Sequence, residues 1–393
     1  MRNKSWLLPD GVDEVLPPQA ARLESLRRNI LDRFECWGYE LVVPPVVEFL
    51  DSLLSSEDDL DLQTLKVMDQ LSGRMMGVRA DITPQVARID AHRLQTDYPQ
   101  RLCYLGPVVH AKPDKFAGSR NPLQIGAELY GHSGIESDTE VMCLMTEVLG
   151  LAGIAPITLE LGHMGVFKAL VESAELSKEN EGRVLDILLR KAADELQNTL
   201  DSYSVDKKLQ NEFSALIKLN GDPEILPEMK AAFDSAAPSV KRALDSFGVL
   251  VEALKKRIPA VNLHLDLAEL RGYHYHTGIT FAAYATNLGR AIAWGGRYDN
   301  VGRNFGRDRA ATGFSADLKT LINISPNGVT PARSIFAPSG DDATLLEKIA
   351  ALRAAGEIVV QGLPGQSGDA KEMACAEEII LDEGVWIRRD ISR

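Results

Sequence analysis

Apolar residues recur at three- and four-residue steps through Leu23, Leu26, Ile30, Phe34 and Trp37. That spacing predicts a helix opened by Pro17-Pro18 and ended by Gly38. Glu40 to Val43 then reads as a strand running into Pro44-Pro45, which must halt pairing or sit at a sheet edge. Short strands at 66–69 and 74–79 flank a hairpin turn at Gln70–Gly73, and a helix follows from Thr83-Pro84 with Val86, Ile89 and Leu94 inward. Residues 136–150 read as a helix and 156–162 as a strand. From 167 to 258 the patterns are helical, as in Val184, Ile187, Leu188, Ala192 and Leu196, with no strand between them. Strands resume at 261–267, 278–286 and 290–295, before a helix from Ala316 to Ile324.

One stretch carries a different signal. From Leu123 to Tyr130, Leu123, Ile125, Ala127 and Leu129 alternate with Gln124, Gly126, Glu128 and Tyr130. Period two gives a strand with one core face and one polar shelf. Gly126, flanked by hydrogen-bonding side chains, lets a ligand approach the backbone, as suits a molecule carrying an amine and a donor-bearing ring. The alternative is a polar face that simply meets water.

After Ser325-Pro326-Asn327-Gly328, the last segment reads strand (333–337), helix (343–354), strand (357–361), glycine-rich turn (362–368), helix (370–381) and strand (384–388). The turn has no lysine and Ser/Thr at P-loop spacing and is read as a turn. These assignments give an α+β class. Residues 1–325 form a core of antiparallel strands flanked by helices, 167–258 a helical insertion within it, and 331–393 a small C-terminal α/β domain.

Composition narrows the function. With 393 residues, 45% hydrophobic and 25% charged, the chain is long enough for two or three domains. Its net charge of −13, without a concentrated basic patch, argues against nucleic acid as a partner. Residues 331–393 hold 7 basic and 11 acidic residues, a net −4. Cys36, Cys103, Cys143 and Cys375 are far apart with no C-x-x-C, which argues against zinc or a disulfide framework. No apolar run has the length of a signal peptide or a membrane span, so the expectation is a reduced, cytoplasmic protein without a metal or other cofactor.

Four segments together resemble the catalytic core of class II aminoacyl-tRNA synthetases, specifically histidyl-tRNA synthetase. The helix and strand ending at Pro44 resemble the first class II motif, which builds a dimer interface, and Gly106 to Gly131 the second. Arg271-Gly-Tyr-His-Tyr-His-Thr-Gly278 resembles the histidine-specific loop R-G-L-D-Y-Y-T-G. Gly295-Gly-Arg-Tyr-Asp299 with Thr312 to Leu321 resembles the third motif. The resemblance implies that Asp81 takes the place of a glutamate binding the substrate amine. It also implies that Gln124, Glu128, Arg271, Tyr275 and His276 surround a histidine-like ligand. Tyr273, His274 and His276 depart from the usual loop residues.

Other departures fall on the phosphate grip. His110 and Lys112 stand where the second motif has an arginine and a glutamate. Lys319 and Thr320 stand where the third has a glutamate and an arginine. Neither a mostly neutral imidazole nor a hydroxyl replaces a bidentate guanidinium. Loss of a single preorganised donor typically costs about 2.7–4 kcal/mol of barrier, so amino-acid activation is not expected.

A histidyl-synthetase core with a disabled triphosphate clamp and a short C-terminal module resembles the regulatory subunits of ATP phosphoribosyltransferase. The resemblance implies a non-catalytic chain in the first step of histidine biosynthesis. Such a chain self-associates through the class II interface, joins the short-form catalytic subunit in a hetero-oligomer, raises its activity, and has L-histidine as an effector. Two competing readings remain. One is a divergent amino-acid-activating ligase, which needs Lys112, Lys319 or Arg297 to replace the lost clamp. The other is a plain scaffold that activates the transferase without sensing histidine. For the shelf itself, the alternative to a ligand site is a relic whose polar groups satisfy each other, with Arg271 and Glu128 paired as a buried ion bridge kept for folding.

Overall fold

The computed structural model describes residues 7–53, 60–112, 119–273, 275–286, 288–299, 301–326 and 333–391. The chain divides into two compact units, Met1–Asn327 and Gly328–Arg393.

The first unit is organised by a nine-stranded sheet. Its strands run, edge to edge, Glu40–Leu41, Gln100–Pro107, Leu123–Tyr130, Ala311–Asp317, Ala291–Arg297, Ile279–Ala285, Ile157–His163, Asn262–Asp266 and Asn220–Gly221. The six strands from 100–107 to 157–163 pair antiparallel. Toward the flanks, 40–41 pairs parallel with 100–107, and 157–163 parallel with 262–266. The sheet is therefore mixed rather than purely antiparallel. The helix Gln19–Cys36 buries Leu26, Ile30 and Phe34 as its periodicity requires, and Gly38 beyond it takes a φ of 76°, an ordinary glycine stop. The helix Ile135–Leu151 packs with it over the core face of strand 123–130, where Ile125, Ala127 and Leu129 are buried. Strands Val47–Phe49, Met75–Val78 and Leu65–Met68 form a separate three-stranded sheet, with the turn at Gln70–Gly73 where the sequence puts it.

The insertion is helical from Met164–Ser173 through Pro238–Arg257, interrupted by the two-residue strand Asn220–Gly221, which the pattern did not show. Two core strands also escaped the pattern, Gln100–Pro107 and Ala311–Asp317. Residues 311–316 are buried on both faces, so no alternation marks them, and the helix expected from Ala316 begins at Leu318. Leu94 is exposed rather than inward. The helix Thr83–Ile89 widens into a π-turn at Asp90–Leu94, and the extra residue rotates Leu94 off the buried stripe.

The second unit is a four-stranded sheet in the order Ile358–Gln361, Ser334–Ala337, Glu377–Asp382, Val385–Asp390, with the helix Ala343–Ala354 burying Leu345 and Ile349 against it. The helix expected over 370–381 is absent. Residues 377–382 instead pair with 385–390 and 334–337, burying Ile379, because the sheet supplies hydrogen-bond partners that outweigh the helix propensity of Ala, Glu and Met.

All four cysteines are free. Among the described residues no helix is long and apolar enough to cross a membrane.

Candidate functional site

A cleft of about 1050 Å³ lies over the polar face of the central strands. Asp81, His110, Lys112, Gln124, Glu128, Arg271, Tyr275, His276 and Thr320 all line it; Lys319 does not. His274 lies outside the described residues, as do 113–118 of the second-motif stretch.

Glu128 sits at the cleft floor, 1% exposed. Its Oε1 accepts from Tyr104 Oη at 3.1 Å and Thr83 Oγ1 at 3.2 Å, and its Oε2 accepts from the Tyr298 hydroxyl. Burial, opposed by these three donors and reinforced by the charge of Asp81, pushes its carboxyl up to about 8. Room for it comes from the neighbouring strand. Gly313 pairs with Glu128 in register, and a Cβ at 313 would lie 1.6 Å from Oε2. Toward the start of the same strand, Gln124 Nε2 donates to Asp81 Oδ1 at 2.7 Å while its Oε1 accepts from the Ile82 amide at 2.9 Å. Strand 123–130 thus presents two carboxyl groups to one cleft, its own Glu128 at the floor and, through Gln124, Asp81 at the edge.

Two features of the shelf differ from the sequence expectation. Gly126 is not open to a ligand, because Tyr104 lies across it and a Cβ there would be 2.4 Å from the Tyr104 hydroxyl. Tyr130 lies behind Tyr298, the two hydroxyls 3.3 Å apart, outside the cleft lining.

Arg271 is the larger correction. It makes no bridge to Glu128. Its Nε donates to Glu269 at 2.6 Å, its Nη2 reaches Glu160 at 3.4 Å and also Tyr284, and it is exposed at the rim. Glu128 is left facing only hydroxyls. Tyr275 stacks at 4.9 Å on Tyr298, its own hydroxyl buried without a partner. The His276 ring is buried, wedged between Gly272 and Gly296, with Nδ1 unpaired. Burial lowers its basicity to about 4, so it is neutral at pH 7.

Of the four positions expected to have lost the phosphate grip, three are engaged with protein groups. His110 Nε2 contacts the Ala80 carbonyl at 3.1 Å. Thr320 Oγ1 donates to Asp317 at 2.7 Å within the N-cap of helix Leu318–Ile324. Lys319 pairs with Asp13 at 3.1 Å. Arg297 is buried on Asp138 at 2.9 Å and on the carbonyls of His132 and Gly134. Two of the three cations offered as a substitute clamp are therefore neutralised away from the cleft, and Lys112 stands exposed at its edge.

Tyr104, Thr83 and Tyr298 were not picked out as site residues. The signal for Tyr298 was present in Gly295-Gly-Arg-Tyr-Asp299, and that for Tyr104 in its cross-strand register with Gly126, which only the pairing reveals.

Comparison with known proteins supplies the family. The histidyl-tRNA synthetase family model matches residues 11–321, and the model of the ATP phosphoribosyltransferase subunit HisZ C-terminal domain matches 332–389. The ATP phosphoribosyltransferase regulatory subunit of Thioalkalivibrio sulfidiphilus is 51% identical over 379 residues, 96% of both chains. The chain belongs to the ATP phosphoribosyltransferase regulatory subunit family. That of Alkalilimnicola ehrlichii is 50% identical, covering 99% of this chain and 98% of the other. Among solved structures, a Bacillus halodurans ATP phosphoribosyltransferase regulatory subunit/histidyl-tRNA synthetase superposes with a TM-score of 0.84 at 26% identity, covering 95% of this chain and 97% of that one. Histidyl-tRNA synthetase from Nostoc shares the fold with a TM-score of 0.81 at 17% identity, covering 98% and 97%.

Proposed function

We propose that this chain is a non-catalytic subunit that joins the short catalytic subunit of ATP phosphoribosyltransferase, supports its turnover in histidine biosynthesis, and takes L-histidine into the cleft beside Glu128 as the feedback signal. The observation that carries the reading is the contrast within one cleft. Asp81, Gln124 and Glu128 place polar groups together along the cleft, whereas His110, Lys319 and Thr320 are bonded to protein groups instead of presenting a guanidinium pair. An amino acid finds acceptors for its ammonium and its ring N–H, and a triphosphate finds no bidentate grip.

Feedback requires that histidine bind two assembly states unequally, and a coupling of about 1–3 kcal/mol is enough for useful inhibition. The fold-related Thermotoga maritima chain, with a TM-score of 0.58 and 19% identity, was solved within an ATP phosphoribosyl transferase HisG:HisZ complex. Partnership with the catalytic subunit is carried over here on that ground and on family membership. A second copy of the chain packs, in this reading, on the edge strand Glu40–Leu41, where Leu41 and Val43 are 51% and 80% exposed. The location is cytoplasmic.

The test is to mix the chain with a short-form catalytic subunit and measure turnover with and without histidine, alongside calorimetry of histidine on the chain alone. Activation with histidine-sensitive turnover and measurable heat is expected. Activation without any histidine effect or heat makes the chain a scaffold, and amino-acid-dependent ATP–pyrophosphate exchange by the chain alone makes it a ligase.

A further inference from the structure

The loop at 271–278 is gripped from two sides by alternate residues. On the cleft side, Tyr275 stacks on Tyr298, whose hydroxyl donates to Glu128. On the other side, the helical insertion holds the same loop. Tyr273 packs edge-on against Phe167 at 5.2 Å, and its hydroxyl donates to Glu181 in helix Lys178–Leu189. Lys168, in helix Met164–Ser173, donates from Nζ to the His276 carbonyl at 2.7 Å and stands 5.2 Å over the Tyr273 ring. Within the loop, the amides of Tyr275 and His276 both donate to the Gly272 carbonyl at 2.9 Å.

Lys168 is half-buried, and burial lowers its basicity while the charge of Glu181 opposes that shift. A partly desolvated ammonium so placed has strong reason to keep both the carbonyl and the aromatic face, because each replaces lost hydration. The cleft wall is thus shaped by two charged side chains that never enter it.

We propose that Lys168 and Glu181 are positioning residues through which the helical insertion sets the ligand affinity of the cleft, by fixing the 271–278 loop that carries Tyr275 and His276. The affinity part rests on the reading that a ligand occupies this cleft; the loop-fixing part does not. A displacement of helices 164–173 and 178–189, by whatever contacts the insertion, then reaches Glu128 through Tyr275 and Tyr298. This is a contiguous chain of contacts of a kind that carries coupling.

The test uses the full chain carrying Lys168→Met, Lys168→Arg or Glu181→Gln, with amide hydrogen exchange over 272–278 and histidine calorimetry. Loss of one charge-assisted hydrogen bond predicts about tenfold faster loop exchange and about tenfold weaker histidine uptake for Lys168→Met, with Lys168→Arg restoring both to within about threefold. A purely space-filling role gives no such rescue, so Arg and Met variants that behave alike overturn the proposal. Unchanged exchange over 272–278 in Lys168→Met also overturns it, whatever histidine does. If the unsubstituted chain takes up no histidine, the reading of the cleft falls, and the exchange arm alone decides whether the insertion fixes the loop. Should Lys168→Met fail to fold, Glu181→Gln, which weakens the Tyr273 contact and removes the charge facing Lys168, must still speed loop exchange or the proposal fails.

Discussion

Tyr298 and Glu128 are 170 residues apart in the chain, yet the tyrosine hydroxyl donates directly to the buried carboxylate. With Tyr104 and Thr83 on the other oxygen, the group is fully hydrogen-bonded but also almost wholly removed from water. Burial dominates, and the carboxyl is pushed up to about 8.

A carboxyl raised from 4.5 to about 8 contributes stability that is complete below pH 4.5 and is lost as pH rises through about 8. Glu128→Gln removes that titration and keeps the geometry. Its amide oxygen accepts from Thr83 and Tyr104, and its NH₂ donates to Tyr298, whose own hydroxyl proton then turns to Tyr130, 3.3 Å away. Thermal melts from pH 5 to 9 are expected to show the variant gaining on the unsubstituted chain as pH rises, by on the order of a few kcal/mol near pH 9. Parallel melting curves across that range refute the assignment.

Gln124 orients Asp81 and ties down the Ile82 amide. Gln124→Ala should weaken histidine binding about tenfold by loosening the carboxylate, with a loss of roughly 1 kcal/mol of stability. Calorimetry reads the first and denaturant unfolding the second. Unaltered affinity moves the amine-binding role away from Asp81.

Restoring arginine at His110 and Thr320 together is expected to yield no ATP–pyrophosphate exchange above background. Thr320→Arg also removes the hydroxyl that donates to Asp317, at a cost of about 1 kcal/mol, although Asp317 still caps the helix through the Lys319 amide. Exchange activity in the double variant would show that the rest of the cleft retains more catalytic capacity than its contacts indicate.

Val43→Asp places a carboxylate on the most exposed apolar residue of the edge segment. Self-association through that edge should weaken at least about tenfold, since an unpaired charge in an interface costs several kcal/mol. Sedimentation of the unsubstituted and variant chains side by side decides it; identical profiles place the interface elsewhere.

The amino-acid sequence alone established the class of fold. Period 3.6 over 19–36 is a local property that survives into the structure because one face of the helix must be dry, and the alternation over 123–130 marks a strand whose residues 125–130 are buried on both faces. That positions 110 and 320 hold a histidine and a threonine is a matter of residue identity, and the expectation that they stand in place of two arginines needs no coordinates. Which side chains meet was decided only by tertiary structure. The register of 100–107 on 123–130 laid Tyr104 over Gly126, that of 311–317 set Gly313 beside Glu128, and the carboxylates of Glu269 and Glu160 drew Arg271 to the rim. Hydrogen-bond partners are chosen by which groups the sheet brings within about 3 Å, and that is settled by pairing between distant segments, which no local periodicity encodes. For the same reason residues 377–382, helical by composition, became a strand once neighbouring strands offered their unpaired backbone groups.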